Sequence, residues 1–414
     1  MEKKKIVIAC DSFKGCLTSK EVNEALAEVK SEERRTLNVK SEERSVKNST
    51  AFFPEVVTLE MSDGGDGMLD AFLSAMGGER VSMHAHDALM RWIDTEYGVV
   101  KMAPNHLFRN QEEIPVAIIE IAQTAGLALI EPEQRNPMKA TSWGVGKQIM
   151  HAYRRGIRHF IVGLGGSATS DCGIGMLKAM GDNWKKIRKE CSFVLASDVT
   201  NPLCGPNGAA HVFAPQKGAD AKMVEMLDAR ARKFAEVSKK HFEKEQEGAH
   251  SSCQDETRSS HQTFIVDASE MPGAGAAGGL GYAFLQYFCA EFYSGADLLL
   301  DAMNFDQLIA DADLVITGEG HSDKQTLMGK LPMKILERVK KLKKNHELEN
   351  LRNFIPQVWL ISGGISDKEA LLDAGFDKVI AVTPEDMPLE EAMKPEVAKE
   401  LLRKIVEKEL RKRQ

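Results

Sequence analysis

The stretch richest in chemistry-bearing residues runs Ile161-Val-Gly-Leu-Gly-Gly-Ser-Ala-Thr-Ser-Asp171, an apolar strand passing directly into glycines. Glycine lets backbone N–H groups approach an oxygen closely, Ser167 and Thr169 add hydroxyl donors, and a following helix N-terminus favours negative charge. The chemistry is phosphate binding at Gly165, Gly166, Ser167 and Thr169, with a structural tight turn as the alternative. Gly163, Gly165 and Ala168 also satisfy a GxGxxA dinucleotide pattern. A second run, Pro272 to Gly281, holds Gly273, Gly275 and Gly278 in GxGxxG register, followed by Gly279. It begins six residues after its strand, Phe264–Val266, which argues for a loop-to-helix entry lining a nucleotide pocket over a nicotinamide site. The ordinary P-loop pattern GxxxxGK[ST] is absent.

Charged residues fall on other loops. Asp11-Ser-Phe-Lys-Gly15 follows the first apolar run, where open α/β folds place ligands. Lys14, beside Ser12, suits neutralising a carboxylate or phosphate; a surface lysine ahead of a helix is the alternative. Asp63 and Asp66, in a glycine loop after the second run, suit a cation or substrate hydroxyls, or an Asx turn with an N-cap. Glu319 and Asp323 follow the run Leu314–Ile316, and Asp198 and Lys217 occupy further loops. Together these place Asp, Lys, Gly and Ser/Thr at the ends of five or six strands, the inventory of phosphoryl transfer. Nucleophilic hydrolysis fits less well, because there is no GxSxG elbow and the 11 histidines are dispersed. The pair His84-x-His86 reads as solvated or structural.

The elements that must position these loops are short β-branched runs alternating with helical patterns. The runs are Ile6–Ala9, Val56–Met61, Val116–Ile121, Phe160–Val162, Phe193–Ala196, Phe264–Val266, Leu314–Ile316, Val358–Ile361 and Val379–Val382. Such runs indicate strands buried on both faces of a largely parallel α/β sheet. Thr18 and Glu21 have capping-box spacing ahead of Val22, Ala25, Leu26 and Val29, which predicts the first helix. Trp92–Val100 reads as an antiparallel strand. The pattern predicts two domains: a flavodoxin- or Rossmann-like parallel-sheet domain of residues 1–61 and 287–414, interrupted by an inserted α/β domain, 62–286, with a mixed sheet. A tandem ten-residue repeat in 29–48 and the polar stretch 236–262 read as insertions and exposed connectors without catalytic roles.

The chain has 414 residues and a formal charge of −7, with 43% hydrophobic and 28% charged residues. That balance supports a large core and argues against a nucleic-acid surface, while leaving room for a local cationic pocket. Seven scattered cysteines without a CxxC pair, and a start too short for a signal or spanning segment, predict a cytoplasmic protein with no membrane partner. Cys10 and Cys16 bracket the Lys14 loop, so thiol reagents are expected to inhibit.

The motifs Asp11–Gly15, Asp63–Gly67, Gly165–Thr169, Asp198–Leu203, Gly205–Gly208, Pro215–Gly218, Pro272–Gly281 and Thr317–Gly320 with Asp323, Gln325 and Thr326 closely resemble the type-1 glycerate kinase family. The resemblance covers roughly residues 4–383, in order. It implies a flavodoxin-like domain interrupted by a second α/β domain. It also implies ATP- and Mg²⁺-dependent phosphorylation of D-glycerate to 2-phosphoglycerate, by in-line transfer in an inter-domain cleft, in a monomer or homodimer. On this reading Lys14, Asp198 and Asp63 are catalytic, with Asp198 the leading candidate for the base and Asp63 and Asp323 its rivals, and Ser12, Asp11, Asp66 and Lys217 bind substrate. Gly165, Gly166, Ser167, Thr169, Gly278 and Gly279 hold ATP, and Glu319 and Asp323 hold Mg²⁺. Two other classes are a nicotinamide-dependent hydroxy-acid dehydrogenase, using the GxGxxA, and a non-catalytic sensor of small acids.

Overall fold

A computed structural model describes residues 5–13, 15–28, 55–62, 65, 67–104, 107–251, 265–348 and 355–412. Lys14, Asp63, Asp66 and the repeat at 29–48 lie outside the described residues. The described strands are, in chain order, β1 (Lys5–Cys10), β2 (Glu55–Thr58), β3 (Glu79–His86), β4 (Trp92–Met102), β5 (Ile114–Glu120), β6 (His159–Gly163), β7 (Ser192–Ala196), β8 (Glu291–Tyr293), β9 (Leu314–Gly318), β10 (His321–Ser322), β11 (Gln357–Ser362), β12 (Gly364–Ile365) and β13 (Lys378–Ala381). The chain divides into two compact units, Met1–Asp63 with Leu299–Gln414, and Gly64–Leu298.

The first unit is built on a parallel sheet in the order β13-β11-β9-β1-β2. Counted within the unit, the middle of this sheet runs second, first, third strand. That is the doubly wound order in which winding reverses between the first and third strands, here β1 and β9. Both central strands are apolar and buried on both faces, as a sheet covered by helices requires. One face packs Ile6, Ile8, Ile316, Trp359 and Ile361 against Leu402 and Val406 of the helix Pro395–Arg411. The helix over 19–28 covers the sheet as well, through Val22, Ala25 and Leu26. Its start is the capping box: Glu21 N–H donates to Thr18 Oγ1 at 3.2 Å and Thr18 N–H to Glu21 Oε2 at 3.0 Å.

The second unit holds a mixed sheet in the order β3-β4-β5-β6-β7-β8, antiparallel from β3 to β5 and parallel from β5 to β8. Its core gathers Ile119, Phe160, Val162, Phe193 and Leu195 with Leu280, Phe284 and Phe288 of the segment Ala276–Phe288. Three expectations change. Ile265 and Val266 form no strand. The division at 286/287 would place β8 in the first unit, but β8 pairs in parallel with β7 and the chain leaves the second unit only after Leu298. Residues 236–251 continue the helix Ala221–Ser251 instead of forming a loose connector. Leu227, Ala231, Ala235, Ser238 and Phe242 recur at helical spacing and are buried, which holds the polar-looking stretch on the fold.

Candidate active site

Two clusters carry the chemistry, one in each unit. In the first unit, β1 and β9 pair with Cys10 opposite Gly318, and the Asp11 N–H donates to Gly318 O at 2.9 Å. The loops after both strands therefore leave the sheet side by side, at the point where winding reverses. Ser12 N–H donates to Asp11 Oδ1 at 2.7 Å, and the Phe13 N–H closes the turn onto Leu17 O at 2.8 Å. Gly15 takes a φ of 76° there, a conformation open to glycine at little cost.

Glu319 is buried and fully engaged. Its Oε1 accepts from Thr326 Oγ1 at 2.6 Å and Ser322 Oγ at 3.1 Å, while Oε2 pairs with Lys330 Nζ at 3.0 Å. Ser322 Oγ also lies 2.6 Å from Ser362 Oγ, at the end of β11. Asp323 heads the short turn Lys324–Met328: its Oδ1 accepts from Gln325 N–H at 2.8 Å and its N–H donates to Thr326 Oγ1 at 3.0 Å. Mg²⁺ takes carboxylate oxygens in near-octahedral geometry with several waters. With an ammonium on Glu319 and Asp323 committed to its cap, this pair does not fit the ion as arranged. Among the described residues no group of three or more His, Cys, Asp or Glu side chains is placed to hold a metal. Lys330, Ser322, Thr326 and Ser362 were not assigned from sequence, since a Ser or Thr partner leaves no spacing signature.

In the second unit, β6 and β7 are adjacent and parallel, so the glycine loop and the Asp198 loop leave the same edge. The glycine loop is held by Leu127 N–H on Gly166 O at 2.8 Å and by its own Ala168 N–H on Ala125 O at 2.7 Å. Among the described residues, the N–H groups of Gly165, Gly166 and Ser167 donate to no protein acceptor, and Gly166 is exposed at a φ of 68°. Free successive amides with a glycine at positive φ are the raw material of an anion nest. Asp198 is exposed in the loop after β7.

Lys217 is only 2% exposed, which removes it from direct substrate contact. Its Nζ donates to Ser167 Oγ at 2.8 Å and Thr169 O at 2.7 Å, so it braces the glycine loop from beneath. Burial pushes this ammonium down to about 7, against the opposing charge of Asp171. Gly278 and Gly279 are also under the loop. A Cβ on Gly278 would strike Thr169 O, one on Gly279 would meet Leu203 and Cys172, and both sit at positive φ. Cys172 N–H donates to Gly278 O at 3.1 Å, so the two glycine runs pack on one another. Their expected contact with nucleotide becomes support of the residues that could make one.

Asp171 was not singled out in the sequence. It accepts from the N–H groups of Ser142 at 2.9 Å, Gly173 at 3.1 Å and Gly175 at 3.0 Å, and from Ser142 Oγ at 3.0 Å, tying the end of the glycine loop to the helix that follows. Cys10 is buried with its thiol pushed up by desolvation, and the half-buried Cys16 is raised likewise. Neither is a poised thiolate, which weakens the expected sensitivity to thiol reagents.

The family model described as the Glycerate kinase family matches residues 6–186 and 182–412. A glycerate kinase of Bacillus cereus is 32% identical over 94% of this chain and 93% of its own length. A glycerate 2-kinase of Escherichia coli K12 is 31% identical, with 94% and 93% covered. A crystal structure described as a glycerate kinase 2 from Salmonella typhimurium LT2 superposes with a TM-score of 0.71 at 30% identity, covering 98% of this chain and 97% of the other.

Proposed function

The chain belongs to the glycerate kinase family, and on that premise we propose that it transfers the γ-phosphoryl group of ATP to D-glycerate, giving 2-phosphoglycerate and ADP. The observation that carries this reading is the glycine loop after β6, whose N–H groups at Gly165, Gly166 and Ser167 have no protein acceptor. Preorganised amides stabilise phosphate charge at no reorganisation cost during transfer.

In this reading a substrate hydroxyl attacks the γ-phosphorus, the bond to the bridging oxygen breaks, and ADP departs. Asp198, on the loop beside the glycine loop, receives the hydroxyl proton. Lys14 and Ser12, after β1, meet the substrate carboxylate, with Asp11, Asp63 and Asp66 as acceptors for its hydroxyls. Glu319 and Asp323 do not fit Mg²⁺ as they stand, so no step is assigned to the ion. Their bonds instead keep the segment from Gly318 to Lys330 rigid beside the Asp11 loop.

A coupled assay of ADP release with and without D-glycerate tests the reading, and a phosphorus NMR spectrum of the product identifies the hydroxyl that was phosphorylated. ADP release that ignores D-glycerate, or none at all across a panel of hydroxy acids, overturns it. Lys14→Met is expected to lower kcat/KM for glycerate by ~10²-fold, the scale of losing one charge-stabilising donor. Near-normal activity in the folded variant removes Lys14 from the site.

A further inference from the structure

Beyond the glycine loop, the second unit contains a cavity of about 410 Å³ that none of the site residues above was assigned to. It is bounded by the segment from Met138 to Trp143, by Ser170 and Asp171 at the end of the glycine loop, and by Leu227 and Arg230 on the long helix. Its volume falls within the roughly 300–1,000 Å³ of small-molecule sites.

Its lining has two characters. Met90, Met138 and Trp143 supply a polarisable, partly aromatic wall, suited to a flat heteroaromatic ring. Lys139, Lys178 and Arg230 supply three positive charges, and among the described residues none of them is paired with a carboxylate. Arg230 has only a 3.8 Å contact to Met138 Sδ. Asp171 is the one acid in the lining, and its oxygens are taken up by the N–H groups of Ser142, Gly173 and Gly175. Ser170 is nine-tenths buried, and among the described residues its Oγ has no hydrogen-bond partner although Ser170 lines the cavity. A buried hydroxyl left unpaired costs free energy unless a ligand or water completes it.

We infer that this cavity is a nucleoside polyphosphate subsite, with the base against Met90, Met138 and Trp143 and the phosphates running past Ser170 toward the free amides of Gly165–Ser167. Ser170 follows Thr169 directly, so the cavity lining begins where the glycine loop ends in the chain. The inference rests on ATP being the phosphoryl donor, but it assigns residues that reading leaves unused.

The test is equilibrium titration of the full chain with ADP by calorimetry, alongside steady-state kinetics. The variants are Lys178→Glu with Arg230→Glu, and separately Met90→Glu; all three positions are exposed, so folding is not at stake. Charge reversal beside a polyphosphate is expected to weaken ADP binding by about tenfold or more, and to raise the KM for ATP in step, while the KM for D-glycerate stays within about twofold. ADP affinity within about twofold of the parent in both variants overturns the subsite, as does a parent chain that does not bind ADP. A parent that forms ADP from ATP and D-glycerate with variants unaltered in ATP KM sinks the subsite and leaves the kinase reading standing. A parent that binds ADP through these residues but transfers no phosphoryl group does the reverse.

Discussion

Lys217 shows how far a single residue's role depends on where the chain puts it. From sequence it is one more loop lysine; in the fold it is sealed under the glycine loop with two short hydrogen bonds and no ion pair among the described residues. Its folded pKa, about 7, is depressed from the 10.5 of a free lysine, so the unfolded chain binds more protons between those values. Stability attributable to this residue therefore rises with pH from about 7 toward 10.5, and below about 7 the full cost of charging is present. Denaturation midpoints of the parent and Lys217→Met, compared across that window, should converge or cross in that sense; a pH-independent difference refutes it. A polyphosphate on the loop should restore the ammonium, because a nearby negative charge favours it. The enthalpy of ADP binding near pH 8 should then depend on the ionisation heat of the buffer, and that dependence should vanish in Lys217→Met. Persistence of the full dependence in the variant assigns the proton elsewhere.

Among the elements, those with continuous apolar runs were legible: β1, β5, β6, β7, β9 and β11 fall on segments buried on both faces, and β13, at the sheet edge, buries Val379 while Ile380 is half-buried. The elements missed are those whose signal is weak or mixed. β3, Glu79–His86, alternates polar residues along a sheet edge, and β8 has three residues. The helix Ala221–Ser251 hid its buried stripe among lysines and glutamates. Phe242 is the sharpest case, wholly buried and set edge-on to Tyr287 at 5.3 Å and Trp184 at 6.4 Å. Phe242→Ala should cost about 3–5 kcal/mol in a denaturant titration, the range for large-to-small core changes. A side chain on a solvated connector would change stability by no more than about 0.5 kcal/mol, so a null result would return this stretch to the surface.

At the scale of the whole molecule, the charge of −7 opposes anionic substrates while Lys139, Lys178 and Arg230 gather at one cavity. Charges farther than a Debye length, about 8 Å at physiological salt, are screened first, so the local cations dominate near the ligand. ADP affinity should fall as potassium chloride rises, and more steeply in the parent than in the doubly charge-reversed variant; equal slopes would argue that the cluster does not meet the phosphates. The amino-acid order alone determined the two-unit α/β plan, the capping box of the first helix and the glycine loop that follows β6, because these are written in local periodicity and in residues close in the chain. Only tertiary structure decided that Lys217 braces that loop, that Gly278 packs against Thr169, that Lys330 holds Glu319, and that Arg230 and Ser170 line one cavity. All but the Lys330–Glu319 pair join residues far apart in the chain, and burial and partner choice are set by which segments pack together, a quantity that local spacing does not carry.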